Sequence, residues 1–459
     1  MTDHRGIKQK DIIADTKATD TTSPGSYVLD ELILGKILSD YSGGVSFHQV
    51  VDLADSKFSS ITITQSLADP FMTMAIGVND ATQILERLGT KGLQGEEFVK
   101  IKLYSRGRDP IDLLFHVAAI TPVISDDHQK TNFFNLICTT KEKLINDISN
   151  VNKFFSGTAA DAAEAIWNKN IVGHEKYKML KGIKGIKWDD RPFFNSSSVG
   201  TERFIVPGLQ VNQAMKWLTT KAYGGPEYPG SLYFFFENSA GFHFCNIENY
   251  IETYKMISFA GRKFTYNPQQ NSISPQGISQ IQSIQNISGL TLPNTSARLK
   301  NGMFSHTVRA INLVDKTTTD TNFNMEEKYD SFFVPGNIFG TSIKYFNEIA
   351  KYSPREYLVT KDSTHTDTNI EKIIGAREAY SNLLNSYKIS ITVYGDSELN
   401  VGDFVDLDLA EAGTSGDRDL SIYSGAWLVQ AVSHICDTEK FNTTLSLSKG
   451  GLDHVQTKQ

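Results

Sequence analysis

The residues in this chain best suited to chemistry are two adjacent carboxylates, Asp189 and Asp190, beside Trp188. Carboxylate pairs near aromatic rings cut glycosidic bonds, one as acid and the other as base or nucleophile. Neighbouring acids in a loop are usually only solvated, and no other part of a sugar-cleaving site accompanies these, so the pair is read as solvated. Asp406, Asp408 and Glu411 begin like a calcium loop. Such a loop needs Gly at its sixth position and Glu at its twelfth; those positions hold Glu411 and Asp417. Alternating acids on the exposed face of a strand account for them better. His434 precedes Cys436 by two residues, but no second pair stands at metal-ligand spacing. A packed strand-end histidine and a core cysteine are expected there. His174-Glu175 lacks the second His of a metalloprotease helix, and Gly182 and Gly185 do not make a phosphate loop. No serine sits in a Gly-x-Ser-x-Gly elbow. These residues predict no catalytic group, no cofactor and no metal.

The elements around them are more informative, because the same strand pattern occurs twice. Phe98-Val99-Lys100-Ile101-Lys102-Leu103 is matched by Phe404-Val405-Asp406-Leu407-Asp408-Leu409. A Gly-led acidic turn precedes each, Gly95-Glu96-Glu97 and Gly402-Asp403. A second apolar strand follows each, Phe115 to Ile120 and Trp427 to Val432, then a polar reversal and a third strand, Asn132 to Thr140 and Phe441 to Lys449. Period-two alternation places Val99, Ile101 and Leu103 on one face, as it does Val405, Leu407 and Leu409. The other face carries Lys100 and Lys102 in one copy and Asp406 and Asp408 in the other. Those four are the candidate inter-barrel charge positions: they are either ordinary drift of solvated strand faces or charges that would favour unlike over like neighbours around a ring. Two copies are too few for a solenoid. They suit a ring in which each subunit supplies two equivalent sectors.

Composition agrees with a structural role. A chain of 459 residues exceeds one core's worth, so several domains are expected. The 27 Phe and 18 Tyr favour β-rich architecture. A net charge of −7 argues against a surface built to grip nucleic-acid phosphates. Cys138, Cys245 and Cys436 are too few and too far apart for a disulfide framework or a zinc site, and suit a reducing cytoplasm. Met1 to Ser26 is a polar arm without an apolar signal core. Ile111 to Ile124 is too short for a membrane span and carries Asp112 and His116. A soluble protein with no membrane binding of its own is expected.

The fold class expected is mainly β with α+β insertions: two duplicated antiparallel tube-type β-barrels joined by inserted α/β segments. The first barrel spans 27–157, with Ser59-Ile61-Ile63 and Phe71-Met74-Ile76 as strands before the repeat. An inserted α+β unit spans 158–277. In it, Thr158 caps a helix from Ala159 to Asn168. Val211, Ala214, Met215, Leu218 and Ala222 form one helical face, and Ser231 to Phe236 pairs with Phe242 to Phe244 across a turn. The second barrel takes 278–315 and 388–450. An insertion with a helix fills 316–387, where Asn369 caps a face of Ile370, Ile373, Ile374, Leu383, Leu384 and Tyr387. Asn267 to Thr295, dense in Gln, Ser and Asn, reads as a flexible linker.

The segments Leu399-Asn400-Val401-Gly402-Asp403-Phe404-Val405, Ser424 to Val429, Val432-Ser433-His434 and Phe441 to Leu445, with the helix-stop-hairpin of Val211 to Phe244, resemble a known tail-protein pattern. It is that of the central baseplate hub protein of contractile-tailed bacteriophages, shared by the hub portion of type VI secretion spike proteins. The likeness covers most of residues 27–450; the linker, the stretch Val314 to Ser363 and the N-terminal arm have no counterpart in it. It implies a homotrimer whose barrels form six sectors between the hexameric tail tube protein and a trimeric spike protein. Tape-measure protein and DNA would pass through its lumen, and baseplate wedge proteins would surround it. The location implied is the virion's tail baseplate, after assembly in the host cytoplasm. A tail-associated cell-wall hydrolase and a carbohydrate-binding tail module are the alternatives.

Overall fold

The computed structural model describes residues 25–452 except 40–44, 55–57, 81–92, 94, 96, 106, 124–131, 182, 184–190, 257–261, 267–281, 329–331, 333, 336–345, 347, 351–354, 362–369 and 410–420. The polar arm therefore lies almost wholly outside the described residues.

The chain is mainly antiparallel β. A first unit contains β1 (Tyr27–Ser39), β2 (Val45–Asp52), β3 (Phe58–Ser66), β4 (Thr73–Asp80), β5 (Glu97–Ser105), β6 (Ile111–Val123) and β7 (Asn132–Thr140). Alternate residues of these strands are apolar, and they turn Ile61, Ile63, Met74, Ile76, Val99, Ile101, Leu103 and Leu136 into one buried cluster. Helix α1 (Lys141–Ile148) leads into β8 (Asn150–Gly157). Helix α2 (Ala159–Trp167) follows, held at its start by a reciprocal box: Asp161 N–H donates to Thr158 Oγ1 at 3.1 Å, and Thr158 N–H to Asp161 Oδ2 at 3.4 Å. The expected cap at Thr158 is thus present.

The inserted unit continues through β9 (Phe193–Asn195), β10 (Glu202–Gln210), α3 (Val211–Lys221), β11 (Tyr233–Asn238), β12 (Gly241–Asn246) and α4 (Ile247–Met256). Strand β8 pairs with β10, and β11-β12-β9 form a small sheet. The α3 face read from the sequence is the buried one: Val211, Ala214, Met215, Leu218 and Ala222 are fully enclosed. They pack with Trp167, Phe235, Phe242 and Phe244, and with Phe98 and Leu114 on the outer side of the first unit.

A second unit comprises β13 (Arg262–Tyr266), β14 (Ile284–Thr291), β18 (Tyr387–Tyr394), β19 (Phe404–Leu409), β20 (Gly425–Asp437) and β21 (Phe441–Lys449). Between β14 and β18 lie β15 (Ser305–Asn312), β16 (Thr318–Asn324), β17 (Arg355–Lys361) and α5 (Ile370–Leu384). The linker expectation fails over Ile284–Thr291: that stretch is β14, because Ile284 and Ile287 pack into the second unit's core and β18 completes its ladder. Within the expected span 278–315, β15 joins β16 and β17 in a separate sheet rather than the large one. The cap expected at Asn369 lies outside the described residues.

Both units share one sheet. Its path is β14-β18-β21-β20-β3-β4-β7-β6-β5-β1-β2, with β19 and β13 branching from β20. The long strand β20 makes this possible by changing partner along its length. Its start, Gly425 to Leu428, faces β19, and its end, Ala431 to Asp437, faces β3 of the first unit.

Candidate assembly surface

The chemistry-bearing residues do not converge. Asp189, Asp190, Glu411 and Asp417 lie outside the described residues. His434 is fully buried, its Nδ1 at 3.1 Å from Thr443 Oγ1, and burial lowers its pKa to about 4. Cys436 is buried beside it in sequence, and desolvation pushes its thiol pKa well up. Both side chains are thus packed in the interior, the ring against the Thr443 hydroxyl. Among the described residues no group of three or more His, Cys, Asp or Glu could hold a metal, and no helix is long and apolar enough to cross a membrane.

What the structure does bring together is two copies of one ladder. In the first unit Phe98 faces His116 and Val99 faces Phe115; in the second Phe404 faces Leu428 and Val405 faces Trp427. Strand β6 bulges between Val117 and Ala119 against β7, and β20 bulges between Val429 and Ala431 against β21. The next pairing agrees too: Ile76 faces Leu136, and Ile391 faces Leu445. One strand further out, β3 bulges between Phe58 and Ser60 and then sets Ile61 against Ile76. Strand β14 bulges between Ile284 and Asn286 and sets Ile287 against Ile391. Bulges re-aim a strand and are placed features rather than accidents. Two of them recurring at matching rungs make β3-β4-β7-β6-β5 and β14-β18-β21-β20-β19 the same meander, apart from a second bulge in β14 between Ser288 and Thr291 that β3 lacks. The turn before each fifth strand uses left-handed backbone, with φ +83° at Gly95 and +88° at Gly402.

The sixth strand differs. Strand β1 runs antiparallel to β5, whereas β13 runs parallel to β19. The four charges singled out from the sequence face these sixth strands. Lys100 pairs with Glu31, and Lys102 with Asp30 at 2.9 Å. Asp408 pairs with Lys263 at 2.9 Å, and Asp406 stands opposite Lys263 in the ladder. Each sign change in the repeat is thus answered by a sign change on its neighbouring strand in the same chain. Placing them between barrels of different subunits remains a proposal.

Sequence reasoning missed the groups that lock the two units together. In the loop after β5, Arg108 reaches Glu398 at 3.4 Å and Asp396 at 3.8 Å. Within the second unit Arg262 braces the same two acids, reaching Asp396 at 2.9 Å and pairing with Glu398. Ser397 Oγ donates to the Asp109 carbonyl at 2.7 Å. It also missed the clamp between insertion and first unit. Glu237 accepts from Met72 N–H and Thr140 Oγ1, both at 2.8 Å, and pairs with Arg191. The sequence signal for the clamp was Glu237 after the apolar run Tyr233 to Phe236, whereas Arg108, Asp396 and Glu398 stand in polar loops that gave none.

The side of the sheet turned away from the two cores is made of short neutral groups. It carries Thr62 and Thr64 on β3, Thr73, Ala75 and Asn79 on β4, and Asn135, Ile137 and Thr139 on β7. Across the junction it continues with Ser433 and Ile435, Asn442, Thr444 and Ser446, then Ser390 and Thr392. The Thr392 and Thr444 hydroxyls touch at 3.2 Å. Among the described residues of this face on those strands, only Lys388 and Asp437 are charged, and both stand at strand ends.

No protein-family model matches the chain, and no curated protein matches it in sequence. Solved structures do. The 43 kDa tail protein of prophage MuSo2 from Shewanella oneidensis matches over 92% of this chain and 99% of its own, at 9% identity and a TM-score of 0.50. The tail protein from Neisseria meningitidis MC58 matches over 92% and 97%, at 10% identity and a TM-score of 0.48. The fold described above is therefore similar to that of the MuSo2 prophage tail protein.

Proposed function

We propose that this chain is the central hub subunit of a contractile phage tail baseplate. In this reading the two matched meanders are tube-type β-barrels, three copies assemble as a homotrimer, and the six sectors join a hexameric tail tube protein to a trimeric spike protein. DNA and tape-measure protein pass through the lumen, wedge proteins surround the ring, and the assembly resides in the virion's tail baseplate after formation in the host cytoplasm. The role is structural, not enzymatic.

The observation that carries the reading is the repetition of one ladder, with two of its bulges at matching rungs, within one continuous sheet. A subunit that holds two equivalent sectors converts three-fold symmetry on one side into near six-fold on the other. Closed rings arise from head-to-tail interfaces whose rotation closes, and a permanent one buries more than ~2,000 Å² of largely apolar surface.

Light scattering of the purified protein, with and without a spike protein, tests this together with negative-stain imaging. A trimer forming a ring with a central hole is expected; monomer alone under both conditions overturns the proposal. Peptidoglycan clearing abolished by a folded Asp189→Asn or Asp190→Asn variant would overturn the non-enzymatic part.

A further inference from the structure

We propose that the free edge of β6 in one copy of the chain pairs with the free edge of β14 in the next, in the register that β20 and β3 already display inside each copy. This rests on the ring reading above and assigns the strands that close it.

The chain contains one finished example of the joint and both halves of an unfinished one. In the finished joint, β20 leaves its partner β19 after Leu428 and lays Ala431 to Asp437 against β3. Strand β6 is built the same way, leaving β5 after His116 with its bulge at the matching rung. Beyond Ala118, however, β6 has only β7 as a neighbour among the described residues. Strand β14 matches β3 apart from its second bulge, yet on the side where β3 meets β20 it has, among the described residues, only a single bridge, Thr265 to Ser283, just before its start. The two open edges lie at opposite ends of the eight-strand run from β14 to β6, so copies can join only head to tail.

Burial differs between the finished and unfinished joints as an absent neighbour requires. In the finished joint Val432 and Ile61 are fully enclosed and Gln65 is 1% exposed. Their counterparts Ile120 and Ile287 are only half-buried, and Leu292, the counterpart of Gln65, is 51% exposed. Open edges in soluble proteins are commonly protected by charged side chains. Neither Ala118 to Val123 nor Ile284 to Leu292 contains one. Pro122, at the place of His434, removes at most one donor from the ladder.

The finished joint also sets the register. Ser433 faces Thr64 across it. Thr121 stands as far beyond the β6 bulge as Ser433 beyond that of β20. Thr291 faces Lys388 as Thr64 faces Thr73, the residue matching Lys388. Thr121 of one copy therefore faces Thr291 of the next, and Ile120 faces Leu292.

Directly facing strand residues bring their Cβ atoms to ~4.5–5.5 Å, near disulfide reach. Full-length Thr121→Cys/Thr291→Cys protein, oxidised gently, is expected to run on a non-reducing gel as a covalent ladder up to trimer. Either single variant, and the Thr121→Cys/Leu290→Cys pair whose side chain points to the other face, should not. The three native cysteines are buried and should stay silent. If light scattering finds a trimer but the double variant gives no ladder, or only a cross-linked monomer, the edge pairing is wrong and the hub reading survives. Monomer throughout, in the parent protein as well, overturns both. Ile120→Lys and Leu292→Lys provide a second test free of oxidation. Each should give folded protein whose trimer is lost or weakened at least tenfold, and either remaining fully trimeric overturns the pairing.

Discussion

Removing the Glu237 carboxylate should uncouple the inserted unit from the first. Its side chain is fully buried and that of Arg191 is 8% exposed. The Arg191 guanidinium also donates to the Asn238 carbonyl and lies 5.2 Å from the Phe242 ring, and burial lowers its pKa from the ordinary value. In a Glu237→Ala variant that cation is left without its carboxylate, which costs roughly 3–5 kcal/mol. The Met72 N–H and Thr140 hydroxyl lose their acceptor as well, at ~1–3 kcal/mol each, though such losses in one network overlap. A total of about 4–6 kcal/mol is expected. For an m-value of ~3 kcal/mol/M in urea this moves the midpoint by about 1.3–2 M. Because a chain of this size need not unfold in one step, the transition should be followed by hydrogen exchange at the Met72 amide as well as by fluorescence. Arg191→Met with Glu237→Leu removes both charges and should recover most of the loss. A midpoint shift under ~0.3 M for Glu237→Ala, or a double variant no better than the single one, would refute the account of the clamp.

Acid should weaken the fold through its buried histidines. Burial lowers the pKa of His243 from 6.5 to about 3 and that of His434 from 6.5 to about 4, so their contribution is complete above 6.5 and is lost as pH falls toward 4 for His434 and toward 3 for His243. A melting temperature that falls less steeply over that range in His434→Asn than in the parent is the expected result. Alanine at either left-handed turn glycine should cost ~1 kcal/mol, with Gly402→Ala the worse in chemical denaturation. Its new Cβ would lie 3.3 Å from Phe236 Cζ, whereas Gly95 has nothing within 4 Å. Lys100→Glu with Lys102→Glu should loosen β1 against β5, most visibly at low salt. Rescue by Asp30→Lys with Glu31→Lys would place the effect within the chain, and rescue of assembly by Asp406→Lys with Asp408→Lys would place it between barrels.

The strands legible in advance were those whose pattern is local. Val99, Ile101 and Leu103 announce a buried face by alternation alone, and Val405, Leu407 and Leu409 repeat it; all six are buried. The α3 face and the Thr158 box were legible for the same reason, since caps and helical periodicity act within a few residues. What escaped notice depends on distant partners. Strand β14, with Gln285, Asn286 and Ser288, looks like linker until β18 lies beside it. Nothing near Ala431 or Ser66 signals that they face one another across the two units. The opposite directions of β1 and β13 are set by how the chain arrives, which no strand pattern records. The site was legible only as repetition: the four charges could be picked out, but their partners Asp30, Glu31 and Lys263 could not.

The neutral face of the shared sheet has a mechanical consequence. A polyanion adheres to protein chiefly by releasing its counterions to fixed cations, and this wall of Ser, Thr, Asn and Ala has almost none to offer. An unfolded polypeptide finds few ion-pair partners there either. Apart from the exposed Ile137 and Ile435, contacts with such a surface are single hydroxyl or amide hydrogen bonds that water can replace at little cost. A long molecule drawn across it would meet many weak, short-lived attachments in place of a few strong ones. The face is lubricated by its chemistry.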